Sequence, residues 1–192
     1  MTTEEDSEHE PEAGTPVRRE DCRKGNTAVH YMPLDYLGRA QGVVACLNRG
    51  DYNYVHSEKI GDILRVQTDW VLDSRETMIV GTHPEYPTNW EHIPPGYGGN
   101  KKGHHRGHLL ARQLGGDGTD LRNLVPLYAK VHTPRMSRHE NELARRVQED
   151  GETIFYQVTP HYEGNSQIPD YLELKWFGSI EGPGGVRIDN VP

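Results

Sequence analysis

The sequence predicts an α+β fold in which a mostly antiparallel sheet carries a helix. Hydrophobic residues make up 33% of the 192 residues, and there are 21 glycines and 13 prolines. This composition favours a compact core with many connections over a helical bundle. Short apolar runs, one of which alternates apolar and polar residues, indicate strands, and one stretch after Pro134 has helical periodicity. The length fits a single domain.

The strands are predicted from apolar, β-branched and aromatic runs that are bounded by turn residues. They cover residues 29–32, 42–47, 70–72, 78–80, 124–128, 155–158 and 171–177. Turns are predicted at 37–39, 73–76 and 115–118. Residues 84–103 are dense in Pro, Gly and Asn, which predicts a long loop of the kind that often carries function.

A helix is predicted after Pro134 because apolar residues recur there at helical spacing. The apolar positions are Met136, Leu143, Ala144 and Val147. The opposite face is predicted to hold Glu140, Arg145 and Arg146. Ser137 precedes Glu140 by three residues, as in a capping box, and Thr133 is a second N-cap candidate.

The charge of the chain is unevenly distributed. Its formal net charge is −8, but residues 1–16 contain six acidic and no basic residues, so that 17–192 carry only −2. We expect 1–16 to be an acidic disordered tail or linker, and 17–192 to be the folded domain. Residues 100–146 contain ten basic and four acidic residues, a local charge of +6. A local basic surface of this kind is what a polyanion binds.

The sequence gives two indications about the compartment. No apolar run approaches the roughly 18 residues of a membrane helix, and the acidic start does not resemble a signal peptide. We therefore expect no membrane contact, and a protein that is cytoplasmic or exported by a signal-independent route. The two cysteines, Cys22 and Cys46, could form one disulfide or remain two buried thiols.

The most informative segment is His104-His105-Arg106-Gly107-His108, which is followed by Arg122-Asn123 and Leu-Val-Pro at 124–126. A histidine titrates near neutral pH, a neighbouring glycine allows the backbone to present it, and an arginine can hold a phosphate. These residue types together suit phosphodiester chemistry. The residues of interest are His108, Asn123, His132 and Glu140, whose separations of 15, 9 and 8 positions suggest a strand end, a second strand and a helix.

This arrangement resembles the DNA/RNA non-specific endonucleases of the ββα-metal superfamily. In that family Asp-Arg-Gly-His is followed by Asn-Leu-Val-Pro and then by a helix with a metal-binding asparagine and a glutamate. Residues 106–108 and 123–126 match directly, and 33–40, 94–97 and 158–162 resemble the type VII secretion and polymorphic-toxin branch. The resemblance spans about 29–177. It departs from the pattern at His105, in place of the aspartate, and at His132, in place of the metal-binding asparagine.

The resemblance implies a ββα-metal finger embedded in a mostly antiparallel sheet with flanking helices, and a metal-dependent endonuclease that cuts DNA, RNA or both without sequence preference. His108 is the implied general base, Arg106 the phosphate contact, and Asn123 the residue that orients His108 or the metal shell. One divalent ion, Mg²⁺ or Mn²⁺, is held by His132 and, through water, by Glu140. Because an imidazole is a softer ligand than an amide oxygen, softer ions are also possible.

The same family resemblance implies further substrate contacts and partners. Arg135 and Arg145, in the basic segment, are predicted to bind the substrate. The branch implies a toxin domain that an immunity protein neutralises. His104, His105 and His139 are interpreted as surface or structural histidines.

Two other functional classes remain open at this stage. The chain could be a nucleic-acid-binding module whose metal site has lost its chemistry. The five histidines from 104 to 139 could instead form a structural zinc site with Cys22 or Cys46, although no regular zinc-ligand spacing supports it. A P-loop is excluded because the glycine-rich stretch 115–118 lacks the Lys-Ser/Thr pair.

Overall fold

The computed structural model describes residues 17–23, 28–48, 50–51, 59–60, 63–65, 76–77, 79–80, 104–128 and 131–192. In chain order the strands are β1 (Ala28–Tyr31), β2 (Val43–Leu47), β3 (Gly50–Asp51), β4 (Lys59–Ile60), β5 (Ile63–Arg65), β6 (Glu76–Thr77), β7 (Ile79–Val80), β8 (His104–His108), β9 (Leu124–Tyr128), β10 (Ile154–His161), β11 (Tyr171–Gly178) and β12 (Gly182–Asp189). The helical segments are α1 (Ser137–Gln148), a wide π-type turn (Val131–Met136) that leads into it, and 3-10 turns at Arg19–Asp21, Arg112–Leu114 and Leu121–Asn123.

The main sheet has five antiparallel strands in the order β1-β2-β10-β11-β12. One face forms the core with α1, because alternate residues of the central strands share one buried cluster with the apolar face of the helix. The cluster includes Ala45 and Leu47 of β2, Ile154, Tyr156 and Val158 of β10, Leu172 and Leu174 of β11, and Leu143 and Val147 of α1. The prediction of an α+β fold with a mostly antiparallel sheet is confirmed.

The opposite face of the sheet is covered by residues 17–23. Cys46 of β2 is opposite Phe155 of β10, and Phe155 is opposite Phe177 of β11, so these three side chains form a row on this face. Cys22 forms a disulfide with Cys46, and the Arg19 guanidinium lies 4.1 Å from the centre of the Phe177 ring. The cysteines are therefore paired. The structural zinc site with Cys22 or Cys46 is wrong, because both sulfurs are used by the disulfide.

The helix prediction is correct in its apolar face and wrong at its start. Met136, Leu143, Ala144 and Val147 are all buried, as predicted. Ser137 is not a cap, because the wide turn Val131–Met136 runs directly into α1, and the residue before Ser137 already has helical backbone angles and makes no side-chain capping bond. The two predicted N-cap positions, Thr133 and Ser137, therefore lie inside one continuous helical segment.

The predicted polar face of α1 is also partly wrong, since Glu140 and Arg146 are buried. Arg146 makes two hydrogen bonds to Glu152, from Nε to Oε2 at 2.7 Å and from Nη2 to Oε1 at 2.8 Å. Oε1 of Glu152 also accepts the backbone N–H groups of Ile180 and Glu181. A paired and fully hydrogen-bonded arginine can be buried, and here it fastens the end of α1 to the β11–β12 hairpin.

The strand predictions match β1, β2, β9, β10 and β11, although β10 is longer than predicted. Strand β12 was not predicted because it begins with Gly-Pro-Gly-Gly, which is acceptable only at a sheet edge. Glu76 lies in β6, paired with Asp51, and not in the predicted hairpin turn. Ile79 and Val80 form β7 as predicted, whereas 70–72 and 84–103 lie outside the described residues.

Within the described part of the chain, no helix is long and apolar enough to cross a membrane.

Candidate active site

Strands β8 and β9 form a separate antiparallel ribbon, and α1 follows them in the chain, so that the unit has the order β-β-α. His108 is opposite Leu124 at one end of the ribbon, and His104 is opposite Tyr128 at the other. Because side chains alternate along a strand, His104, Arg106 and His108 share one face. Gly107 lies on the other face, against the core.

The glycine at 107 is required by packing. A Cβ atom there would lie 2.5 Å from Cδ1 of Leu127 and 2.8 Å from the backbone oxygen of Val125, and both of these residues belong to the core. The ribbon is therefore pressed onto the core at the residue before His108. His108 has only 9% of its surface exposed, whereas Arg106 is exposed.

Asn123 fixes the chain immediately after His108. Its Oδ1 accepts the N–H of Leu110 at 2.8 Å, and its Nδ2 donates to the oxygens of Leu110 at 3.2 Å and Asp117 at 3.0 Å. The side chain is fully buried, and the backbone oxygen of Asn123 accepts the N–H of Leu109. The amide thus positions the backbone beside His108, and these hydrogen bonds are the means by which it can orient that residue.

Two contacts join this loop to its surroundings. The Asp117 N–H donates to the hydroxyl of Tyr31 in β1 at 2.8 Å. Gln113 donates from Nε2 to Oδ1 of Asn141 in α1 at 2.9 Å. Since Asn141 is adjacent to Glu140, the segment that follows His108 is linked to α1 one residue away from the predicted metal-binding carboxylate.

Glu140 is an acidic side chain within the apolar face of α1. Only 3% of its surface is exposed, and Oε1 has no hydrogen-bond partner among the described residues. Burial raises the pKa of this carboxyl group to about 8. A buried carboxyl group without a partner is unusual in a folded protein and requires an explanation, which a cation would provide.

His132 lies in the wide turn Val131–Met136, two helical turns before Glu140. Nothing is described of its side chain, so its place in a metal site stays a prediction. Among the described residues no three His, Cys, Asp or Glu side chains form a metal-binding group. Glu140 is therefore the one predicted ligand whose surroundings the structure describes.

The other predicted site residues lie in different environments. Arg135 is exposed, and its Nη1 donates to the oxygen of Asp189 at 3.4 Å. Arg145 forms ion pairs with three carboxylates, those of Glu142, Glu149 and Asp150. Because these acids neutralise its charge, Arg145 contributes less to a phosphate-binding surface than the sequence suggests. Both roles in substrate binding stay predictions.

Two of the histidines that were interpreted as structural make ring contacts. His104 is buried and packs against the ring of Tyr128 at 4.5 Å between centroids. Burial lowers its pKa, which favours a neutral ring. His139 of α1 lies 6.0 Å from the ring of Trp176. His105 stands where the family's Asp-Arg-Gly-His motif has its aspartate. It is half-buried and lies on the same face of β8 as Gly107.

The geometry of this unit can be compared with known proteins. The profile of the DNA/RNA non-specific endonuclease family matches residues 76–176, just over half of the 192 residues, and this region contains β8, β9 and α1. The chain belongs to this family. No curated protein matches the chain at a significant level.

Solved nuclease structures share the fold of this family member. An extracellular endonuclease is 20% identical with a TM-score of 0.55, covering 87% of this chain and 80% of its own. The Sda1 nuclease with bound zinc is 16% identical with a TM-score of 0.54, and the match covers 85% of this chain and 75% of the Sda1 chain. NucA from Streptococcus agalactiae with magnesium bound is 18% identical with a TM-score of 0.53, and the match covers 87% of this chain and 72% of the NucA chain. The type VII secretion and toxin branch stays a prediction.

No role was predicted for Tyr156, a polar side chain of the buried core. The alternation of β10 places it on the core face together with Ile154 and Val158, and its side chain is fully buried. A tyrosine at an inward position between two aliphatic residues was the available signal, because a buried hydroxyl group needs a partner.

Proposed function

We propose that this endonuclease hydrolyses phosphodiester bonds of DNA, RNA or both, with His108 as general base and one divalent ion as cofactor. The observation that carries the proposal is the β8–β9–α1 unit. It places Arg106 and His108 on one face of a ribbon, fixes the following backbone through Asn123, and links that backbone to α1 beside Glu140.

His108 would take a proton from the attacking water. A neutral imidazole suits this task near neutral pH, and Gly107 and Asn123 hold the backbone on both sides of it. Arg106 is exposed on the same face of β8, where its guanidinium can hold a phosphate oxygen. Asn123 is a positioning residue in this mechanism, because its amide is occupied by backbone groups.

The residues present fit a divalent ion. Glu140 has a buried carboxylate oxygen that lacks a partner among the described residues, and His132 precedes it on the same helical segment. These two residues would hold the ion, with Glu140 acting through water. When bound, the ion supplies stabilisation of negative charge on the phosphate and on the departing 3′ oxygen. The Sda1 and NucA structures, which contain zinc and magnesium, support this part of the proposal.

Contacts to phosphates carry no sequence information, so the expected cleavage has little sequence preference. The basic segment 100–146 supports a polyanionic substrate. We extend the proposal to the domain boundary: residues 17–192 form the nuclease domain, since 17–23 are joined to the sheet by the disulfide. The toxin role and the immunity partner rest on the sequence resemblance alone and stay predictions.

The proposal is tested by degradation of plasmid DNA and of a single-stranded RNA with added Mg²⁺ or Mn²⁺. We expect cleavage that EDTA abolishes and that His108→Ala reduces by roughly 10²–10⁴-fold. The matched control is His30→Ala. His30 lies in β1 opposite Val44, on the sheet face away from the core and α1, so its removal should leave the rate unchanged.

A non-catalytic binding module is the alternative class. Retention of both nucleic acids in a mobility-shift assay, without cleavage under any divalent metal, would establish that alternative and overturn the proposed chemistry.

A further inference from the structure

Residues 17–23, called the cover below, lie over the face of the five-stranded sheet that is opposite α1. The apolar row on this face consists of Cys46 of β2, Phe155 of β10 and Phe177 of β11. Cys46 has no exposed surface, and the two phenylalanines are half-buried. Because adjacent apolar side chains on an open sheet face would be in water, the cover removes apolar surface from solvent.

A disulfide and a cation–π contact join the cover to the two ends of the row. Cys22 is bonded to Cys46, and the Arg19 guanidinium lies 4.1 Å from the centre of the Phe177 ring. The backbone hydrogen bonds of the 3-10 turn Arg19–Asp21 lie within the cover itself. The covalent bond is therefore the strongest attachment of the cover to the sheet.

The core on the other face of the sheet is built without this bond. Neither Cys22 nor Cys46 is among the described members of the buried cluster that joins the sheet to α1. Strand β1 is held to β2 by the backbone pairing of all four of its residues. Loss of the disulfide should therefore free the cover before it opens the core, since the parts of a fold open separately when few contacts join them.

A small thiol can open the disulfide at Cys22. Cys22 is half-buried whereas Cys46 has no exposed surface, so a thiolate attacks the Cys22 sulfur and Cys46 leaves as a thiolate. Nδ2 of Asn48 donates to the Cys46 sulfur at 3.7 Å and can stabilise the departing charge. A second thiolate then attacks the reductant's sulfur in the mixed disulfide and releases Cys22. The reductant is oxidised to its disulfide, and the protein gains two thiols.

We propose that the redox state of the Cys22–Cys46 pair controls whether the cover is attached. In the oxidised protein the cover lies over the apolar row. In the reduced protein the cover leaves and the row is exposed, while the core and the β8–β9–α1 unit stay folded. Disulfides persist in oxidising compartments and are rare in a reducing cytosol. The covered form is therefore the form of this protein in an oxidising compartment.

The test measures whether Cys46 becomes accessible when the bond is absent. The full chain is treated with iodoacetamide in three forms: oxidised wild type, wild type reduced with a phosphine, and Cys22→Ser, in which the bond cannot form. The oxidised wild type should not react. In the other two forms Cys46 should react within about tenfold of its rate in the urea-unfolded chain, because local release of the cover is enough to expose it.

A thiol on the other face of the same strand is the matched control. Ala45 is adjacent to Cys46 and belongs to the core, so Ala45→Cys in a chain that also carries Cys22→Ser and Cys46→Ser has a single thiol on the core face. This thiol should react at least about a hundredfold more slowly than Cys46, because only opening of the core exposes it. Equal protection of the two thiols would show that the cover stays in place without the bond. Equally rapid reaction would show that the bond holds the whole fold, and either result overturns the inference.

The thermal midpoint is an independent measurement. The bond joins residues that are 24 positions apart, and its restriction of the unfolded chain should place the oxidised midpoint roughly 5–15 °C above the reduced one. Dithiothreitol should leave the midpoint of Cys22→Ser unchanged, because the two cysteines of the chain form this bond. A reductant that lowers both midpoints equally would act elsewhere and would overturn the inference. None of these measurements uses cleavage, so they stay interpretable if the proposed function fails.

Discussion

Asn123 and Leu110 are paired through both groups of the asparagine amide: Oδ1 accepts the Leu110 N–H at 2.8 Å, and Nδ2 donates to the Leu110 oxygen at 3.2 Å. The two residues are 13 positions apart, so this pairing closes the loop that follows His108. The asparagine of the motif thus acts on the shape of the loop, and any effect on the histidine passes through the backbone.

Replacing Asn123 with Ala should therefore reduce both stability and activity. The Leu110 N–H and two carbonyl oxygens would lose their partners in a buried site, which costs roughly 1–3 kcal/mol for each unsatisfied group. Urea unfolding measures the stability, and cleavage is measured where the variant is fully folded. A variant of wild-type stability that has lost all cleavage would contradict this role and point to direct chemistry at Asn123.

Gly107→Ala should destabilise the β8–β9 ribbon by about 1–3 kcal/mol, because the new methyl group would overlap Leu127 and the backbone oxygen of Val125. The control is the same substitution in a Leu127→Ala background, where the overlap with the leucine is removed. The cost of Gly107→Ala should be smaller there. Equal costs in the two backgrounds would show that this contact does not determine the preference for glycine.

The Arg146–Glu152 pair predicts a specific loss of stability in acid. Hydrogen bonds from Arg146 and from the backbone N–H groups of Glu181 and Ile180 lower the pKa of Glu152 from 4.5 to about 2. A carboxyl group with a lowered pKa stabilises the folded state above its unfolded pKa. This stabilisation is lost as the pH falls from 4.5 through about 2.

Glu152→Gln should remove that pH dependence of the free energy of unfolding. It should also lower stability at pH 7, by less than the roughly 3–5 kcal/mol of an uncompensated buried charge, because Arg146 keeps the partly exposed Glu181 carboxylate at 3.4 Å. Urea unfolding between pH 2 and 7 measures both effects. If the free energy of unfolding of the wild type and of the variant fell by the same amount between pH 7 and 2, the acid sensitivity would belong to groups other than Glu152. Glu142→Gln is the surface control, because its ion pair with Arg145 is exposed.

His132→Asn should change which metal supports the highest rate. An imidazole favours Mn²⁺, Co²⁺ or Ni²⁺ over Mg²⁺ more than an amide oxygen does. The ratio of the Mn²⁺-supported rate to the Mg²⁺-supported rate should fall several-fold in the asparagine variant. A wild-type chain that is most active in Mg²⁺ and indifferent to His132→Asn would contradict this assignment.

Deletion of residues 1–16 should raise the cleavage rate at low salt, because their six acidic groups repel the substrate or shield the basic surface. The effect should shrink near 0.15 M salt, where the Debye length is about 8 Å. A variant with all six acids changed to amides is the matched control and should behave like the deletion. An unchanged rate would leave this segment as a linker.

Those parts of the structure that depend on local pattern could be predicted from the sequence. The strand at 124–128 is confirmed to the residue, and the four apolar positions of the helical pattern are all buried. The match of residues 106–108 and 123–126 to a family motif located the ribbon. These features depend on side-chain periodicity and on short motifs, which are visible in one sequence.

The remaining features depend on contacts distant in sequence. Arg146 looks like a surface residue until Glu152 is placed beside it, and Glu140 looks like a capping residue until Val131–Met136 continue the helix. Strand β12 is held by its pairing with β11 despite poor intrinsic β propensity. The hydrogen-bond partners of Asn123 could not be predicted, because they are backbone groups and have no signature in the sequence.

The bond between Cys22 and Cys46 also determines how the molecule would bear a mechanical load. Cys46 is in β2, an interior strand, whereas the chain that leaves Cys22 first enters β1 at the sheet edge. Tension applied upstream of Cys22 passes through the sulfurs into β2, the second strand of the sheet, and the 24-residue path through β1 is bypassed. Strand β1 is therefore not the strand that would be peeled away by a pull on the preceding chain.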